Sequence, residues 1–328
     1  MKYDFISIGD VTTDAFIRLK EASVHCDINR ENCVICMAFA SKIPYEDVIV
    51  VPGVGNSANA AVAAARLGLK SAFASNVGDD DFGKETIAAL KKEGVETAFI
   101  KSHPGRKTNY HYVLWYEDER TILVKHEDYP YDLPDIDNPK WIYFSSIGEN
   151  SLSFHAVVAE FLRRNPDVKF AFQPGTFQIK FGTEALAAIY QRTDVFIANK
   201  EEYKQILKTD ETDIKKLMRQ MQGLGPKTAV LTDGREGAYA ANGKNVWFMP
   251  IYPDPKPPYE RTGAGDAFSS TFVAALALDM SVGDALRWAP VNAMSVVQKI
   301  GAREGLLTSA EIEDYLRKAP SDYKPKEI

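Results

Sequence analysis

Long apolar runs, basic clusters and cysteines are all scarce in this chain of 328 residues, and each scarcity removes a class of protein. No segment approaches the apolar length of a membrane span, and Met1-Lys-Tyr-Asp-Phe reads as entry into a strand rather than as a signal peptide, so the expected compartment is the cytoplasm. With a formal charge of −6 and no basic run to track a phosphate backbone, neither a nucleic acid nor a membrane is an expected partner. The cysteines, Cys26, Cys33 and Cys36, are odd in number and sit beside His25. Neighbours such as His25 and Cys26 usually point apart, which is poor geometry for a zinc site, so reduced thiols and no protein-held metal are expected. Gly53 and Gly55 lack the third glycine of a dinucleotide fingerprint, which argues against a nicotinamide-dependent oxidoreductase.

What the chain does have is the make-up of an ordinary α/β enzyme. An apolar content of 45% supports a full-sized core, and one domain over residues 1–328 is expected. Residues 260–273 read Glu-Arg-Thr-Gly-Ala-Gly-Asp-Ala-Phe-Ser-Ser-Thr-Phe-Val, a glycine turn running into a helix with Asp266 at the junction. Unobstructed N–H groups of Gly263, Ala264 and Gly265, with those of the helix start, form an anion site. A carboxylate beside an anion site is out of place as a ligand for the anion but apt as the base of a hydroxyl nucleophile during phosphoryl transfer. The helix N-terminus is expected to keep Asp266 ionised and weakly basic. A plainer reading makes Asp266 an N-cap, with Phe268, Phe272 and Leu276 as the buried stripe of the helix.

A second glycine segment, Val51-Pro-Gly-Val-Gly55, leads into an alanine-rich helix from about Ser57 that closes at Gly68, followed by a strand and the loop Gly78-Asp-Asp-Asp-Phe-Gly83. At this point the chain resembles the ribokinase-like, or pfkB-type, carbohydrate kinase family. The resemblance runs along essentially the whole chain, through Gly9-Asp10 with Asp14, Asn59, Asn199-Lys-Glu-Glu202, Leu231 to Gly237, residues 260–268 and Gly301-Ala302. It implies that Asp14, Gly55 and Asn59 hold a sugar and that Asp266 is the base. It further implies that Asn199 and Glu202 organise magnesium-bound phosphates through water, with Thr232 and Gly234 against the nucleotide. ATP and Mg2+ are the implied cofactors, the magnesium carried mainly by ATP phosphates and water, and dependence on a monovalent cation is left open.

Some positions depart from the family pattern. Val54 stands where the first glycine of a di-glycine hinge belongs, so Gly53 is the alternative hinge; Glu260 and Arg261 replace an Asp-Thr pair. Arg261 reads either as a phosphate contact or as a solvated loop charge. The family's late-helix Asn aligns with Pro290, and Asn292 lies on a different helical face.

Strand runs from Tyr3 to Ile8, Trp141 to Phe144, Val168 to Phe172, Asp194 to Ala198 and Thr228 to Leu231 alternate with helical stretches, which predicts a mostly parallel sheet flanked by helices. Ligands on such sheets bind beyond the carboxyl ends of the strands, where Asn199, Thr232 and Gly234 fall. Segments at about 14–50 and 108–126, joined in the second case through Glu117-Asp-Glu, read as a small antiparallel β-sheet, which the resemblance implies is a lid over the sugar. Such a sheet struggles to bury its apolar face alone, so a homodimer through the lid is expected, with Tyr110, Tyr112, Trp115 and Tyr116 as packing rather than base-stacking residues. The Pro- and Lys-rich tail after Ala319 reads as a loose terminus. The function expected from the sequence is ATP-dependent phosphorylation of a primary hydroxyl of a sugar, with a nucleoside kinase as the alternative and a non-catalytic sugar binder as the rival from another class.

Overall fold

A computed structural model describes residues 2–27, 33–117, 119–259 and 261–328. The chain opens with β1 (Phe5–Ile8), β2 (Thr12–Leu19), β3 (Ser23–His25), β4 (Val34–Cys36), β5 (Tyr45–Val54) and α1 (Asn56–Arg66). It continues through β6 (Ser71–Gly78), α2 (Asp81–Lys92), β7 (Ile100–His103), β8 (Tyr110–Tyr116), β9 (Glu119–Leu123), β10 (Trp141–Phe144), α3 (Leu152–Arg164) and β11 (Lys169–Phe172). Next come α4 (Thr176–Ala185), α5 (Ala187–Arg192), β12 (Val195–Asn199), α6 (Lys200–Leu207), α7 (Ile214–Gly223), β13 (Thr228–Thr232), β14 (Ala238–Asn242) and β15 (Asn245–Met249). The last elements are α8 (Ala264–Ala277), α9 (Val282–Val296), α10 (Ser309–Arg317) and β16 (Lys326–Glu327).

The large sheet has the order β16-β15-β14-β13-β12-β11-β10-β1-β6-β7. It is parallel from β13 to β7 and antiparallel at the β14, β15 and β16 edge. Its parallel strands are apolar on both faces because helices cover both sides. Alternation assigns Phe5, Tyr143, Ala171, Ile197 and Val230 to the layer of α1, α8, α9 and α10. Their neighbours Ile6, Phe144, Phe172, Phe196 and Leu231 face the layer of α3, α5, α6 and α7. The expected α/β architecture is therefore present, and the C-terminal ends of β1, β12 and β13 open on one crevice. Among the described residues no helix is long and apolar enough to cross a membrane.

The small sheet, ordered β5-β2-β8-β9, is built from the two segments read as a lid. Its outer pairs are antiparallel, while β2 and β8 run parallel at its centre. Asp118, part of the expected Glu117-Asp-Glu turn, lies outside the described residues.

Two expectations are corrected. Cys26 and Cys33 form a disulfide instead of standing as reduced thiols, because the pairing of His25 with Val34 across β3 and β4 leaves them as the next facing residues; Cys36 is free and exposed. The tail is not loose either. β16 pairs with β15, Tyr323 is only 4% exposed, and its hydroxyl donates to the Arg287 carbonyl at 2.9 Å while its ring meets Tyr252 edge-on. Truncating this anchor by Tyr323→Ala is expected to cost about 3 kcal/mol, as for other buried aromatics, read from the midpoint of a urea titration. An unchanged midpoint would return the tail to a loose terminus.

Candidate active site

Beyond the strand ends lies a cleft of about 580 Å³ whose walls come from both sheets. Asp14, Gly55, Asn59, Asn199, Glu202, Thr232, Gly263, Gly265 and Asp266 all line it. The remaining two residues picked out in the sequence, Gly234 and Ala264, line an adjoining cavity of about 260 Å³ with apolar walls that include Phe268, Met294 and Val297. Thr232, Arg261 and Gly265 belong to both spaces, so the first turn of α8 stands at their junction.

The local reason for that junction is steric. Gly263 is the N-cap of α8 with φ 82°, and a Cβ there would lie 2.3 Å from the Ala302 Cβ. Only glycine lets the loop turn while touching the Gly301-Ala302 segment. Ala264 and Gly265 are thus the first residues of the helix rather than a turn before it, and their N–H groups are among those without an intrahelical acceptor.

Asp266 sits in this first turn and is not the N-cap; no side-chain cap is made there. Its carboxylate instead accepts from Asn59 Nδ2 at 2.9 Å and Gln173 Nε2 at 3.4 Å. The expectation of a weakly basic Asp266 is corrected: burial pushes its pKa above the ordinary carboxylate value, the donors from Asn59 and Gln173 only partly offsetting this. Desolvation outweighs the helix N-terminus because the group is enclosed by protein yet still lines the cleft.

Asn199 and Glu202 form the capping box of α6: Glu202 N–H donates to Asn199 Oδ1 and Asn199 N–H to Glu202 Oε2, both at 2.9 Å. Burial, with Asp266 nearby, raises the Glu202 pKa. On the opposite wall, His111 Nδ1 is 3.5 Å from Asp14 Oδ1 and His126 Nδ1 is 3.3 Å from Asp10 Oδ2, with the Tyr131 hydroxyl donating to both Asp10 oxygens. Asp14 Oδ1, Asn59 Oδ1, His111 Nε2 and Arg120 Nε are buried and make no hydrogen bond. Gln173, His111, His126 and Arg120 were not singled out in the sequence. Gln173 follows directly on β11, so the strand-end rule was a signal for it, whereas the other three depend on how the small sheet is folded over the cleft.

Gly53, the alternative to Val54 for the expected hinge, takes φ 72°, a left-handed backbone. Arg261 lies in the cleft wall with Nε 3.9 Å from Glu119 Oε1, and Glu260 lies outside the described residues. Pro290 lines the apolar cavity, while Asn292 is buried away from it, donating to Thr271 Oγ1 and accepting from Leu307 N–H.

The sequence matches the pattern described as pfkB family carbohydrate kinase over residues 33–309. It is 27% identical over 292 residues to the 5-dehydro-2-deoxygluconokinase of Clostridium botulinum (strain Alaska E43 / Type E3), covering 82% of this chain and 85% of that one. The ribokinase of Bacillus subtilis (strain 168) is 29% identical over 273 residues, covering 81% and 88%. The structure of Arabidopsis thaliana ribokinase complexed with ribose and ATP superposes with a TM-score of 0.79 at 20% identity, over 97% of this chain and 99% of that one.

The raised pKa of Asp266 carries a stability consequence. Below the ordinary carboxylate range the group is protonated in both folded and unfolded chains and costs nothing; above its raised folded value the full cost of burying the charge is present. Asp266→Asn is therefore expected to be more stable than the wild type at neutral pH, with the difference closing in acid, as measured by urea unfolding at both conditions. A variant less stable at neutral pH would show that the carboxylate is held by net favourable contacts.

Proposed function

The chain belongs to the pfkB family of carbohydrate kinases, and within that activity we propose that it transfers the γ-phosphoryl group of ATP to a primary hydroxyl of a sugar. The observation that carries this reading is the position of Asp266, a carboxylate of raised pKa in the cleft wall beside the N–H groups that adjoin the second cavity. In this reading the sugar lies against Asp14, Gly55 and Asn59. Its hydroxyl oxygen attacks the γ-phosphorus as the proton passes to Asp266, the bond to the β,γ-bridging oxygen breaks, and ADP leaves. The N–H groups of Gly263, Ala264 and Gly265 take up charge on the phosphoryl oxygens.

The apolar cavity beside α8 suits a nucleotide base, with Thr232 and Gly234 at its edge. Asn199 and Glu202 would hold magnesium through water, since each already serves the other's backbone in the capping box. Bound magnesium supplies charge neutralisation at the phosphates. The names of the relatives, a sugar-acid kinase and a ribokinase, support a sugar acceptor. A nucleoside acceptor has less support, because the cleft is lined by Ile122, Val124 and Phe177 and by none of Tyr110, Tyr112, Trp115 or Tyr116.

A homodimer through the lid is proposed with it. Val50, Ala15, Tyr112 and Leu123 lie in one cross-strand row of the small sheet, and Val50, Tyr112 and Leu123 are exposed on it. Leu123→Glu is expected to shift a dimer to monomer in sedimentation; a monomeric wild-type protein would overturn the assembly. For the chemistry, Asp266→Asn is expected to cut turnover roughly a hundredfold or more while nucleotide affinity stays within a few fold. Near-wild-type turnover of that variant in a coupled ATP-consumption assay would remove Asp266 as the base.

A further inference from the structure

Resting on the sugar kinase reading, we propose that the acceptor is an anionic sugar whose carboxylate or phosphate is held by Arg120 of β9, with Lys180 of α4 as a second cation. Alternation places Arg120 on the cleft face of the small sheet. Asp14 pairs with His111 and Trp115 with Arg120, so these side chains share one face while the row containing Tyr112 and Leu123 takes the other. Arg120 and Lys180 line the substrate cleft and not the nucleotide cavity, whereas Arg261 lines both. Arg261 is thereby the cation placed for ATP phosphates, and the other two face the acceptor.

Neither Arg120 nor Lys180 has an ion-pair partner among the described residues, and Arg120 Nε is buried without a hydrogen bond. Arg120 is half-buried and its charge acts on Asp266 across the cleft, but its enclosed Nε has no acceptor, and an anion arriving with the substrate supplies one. The unmet groups form a donor and acceptor map of the ligand. Asp14 Oδ1 and Asn59 Oδ1 call for donors, as sugar hydroxyls supply, while Arg120 Nε calls for an acceptor. A neutral sugar answers the first two without bringing an anion to the Arg120 Nε.

Calorimetry and coupled ATP consumption on the full chain test this with fructose and ribose as neutral probes, 2-keto-3-deoxygluconate as the carboxylate probe and fructose 6-phosphate and ribose 5-phosphate as the phosphate probes. The expected result is a preference in kcat/KM of at least about thirtyfold for a carboxylate or phosphate probe over the neutral sugars. The arm that shows it identifies the anion. Arg120→Met is expected to collapse that preference at least tenfold, chiefly through KM, and Arg120→Lys to restore part of it. Wild-type preference for a neutral sugar, or a preference unchanged in Arg120→Met, overturns the proposal and leaves the kinase reading in place. An equal fall in kcat for neutral and anionic probes also overturns it, placing Arg120 on the transferring phosphoryl group. ATP binding without phosphorylation of any probe, together with equal calorimetric affinity for neutral and charged sugars, overturns both readings.

Discussion

The close approach of α1 and α8 is the constraint on which the rest of the site depends. The buried run of α1 from Ser57 to Ala64 is serine, asparagine and alanine with a single valine, Val62, and α8 is buried almost all round from Ala267 to Ala275. Small side chains let both helices lie against the β-sheet with their N-termini at the same edge. Asn59 then reaches Asp266 across 207 residues of sequence. The contact of Gly263 with Ala302 closes the third side, so the turn proposed to bind the phosphoryl group is held by packing on rigid elements rather than by loop conformation alone.

That packing creates an electrostatic cost at Asp266, the residue proposed as the base. Asp266 and Glu202 are both raised in pKa by desolvation, and the Asp266 charge raises Glu202 further. Asn59 and Gln173 offset part of the burial without abolishing it, which leaves Asp266 more basic than an exposed carboxylate. The same enclosure that costs stability is what gives a carboxylate useful strength as a base.

The small sheet is tied to this arrangement by aromatic contacts rather than by continuous strands. Arg18 lies over the Trp115 ring with its guanidinium carbon 4.6 Å from the centroid, and Trp115 meets Tyr259 edge-on. Tyr259, just ahead of the segment that enters α8, in turn donates its N–H to the carbonyl of Val297 at the end of α9. Packed side chains thus connect the small sheet to the loop that leads into α8.

Local pattern determined much of this protein by itself. Alternating apolar strands and helices specified the parallel sheet, the Gly-Ala-Gly-Asp run specified a helix start with a carboxylate in its first turn, and the glycines marked where the backbone must turn or touch. Those features follow from backbone sterics and hydrophobic period within a short window. Only tertiary structure decided that Asp266 is desolvated rather than capping, that Gln173 and Arg120 face the same cleft, and that Cys26 meets Cys33. It also decided that β2 and β8 run parallel and that Tyr323 docks the tail against Tyr252. Apart from the Cys26–Cys33 bond, which the register of the neighbouring strands β3 and β4 sets, those outcomes rest on contacts between distant segments, whose burial and register are set by how whole elements pack and leave no periodic trace in the residues themselves.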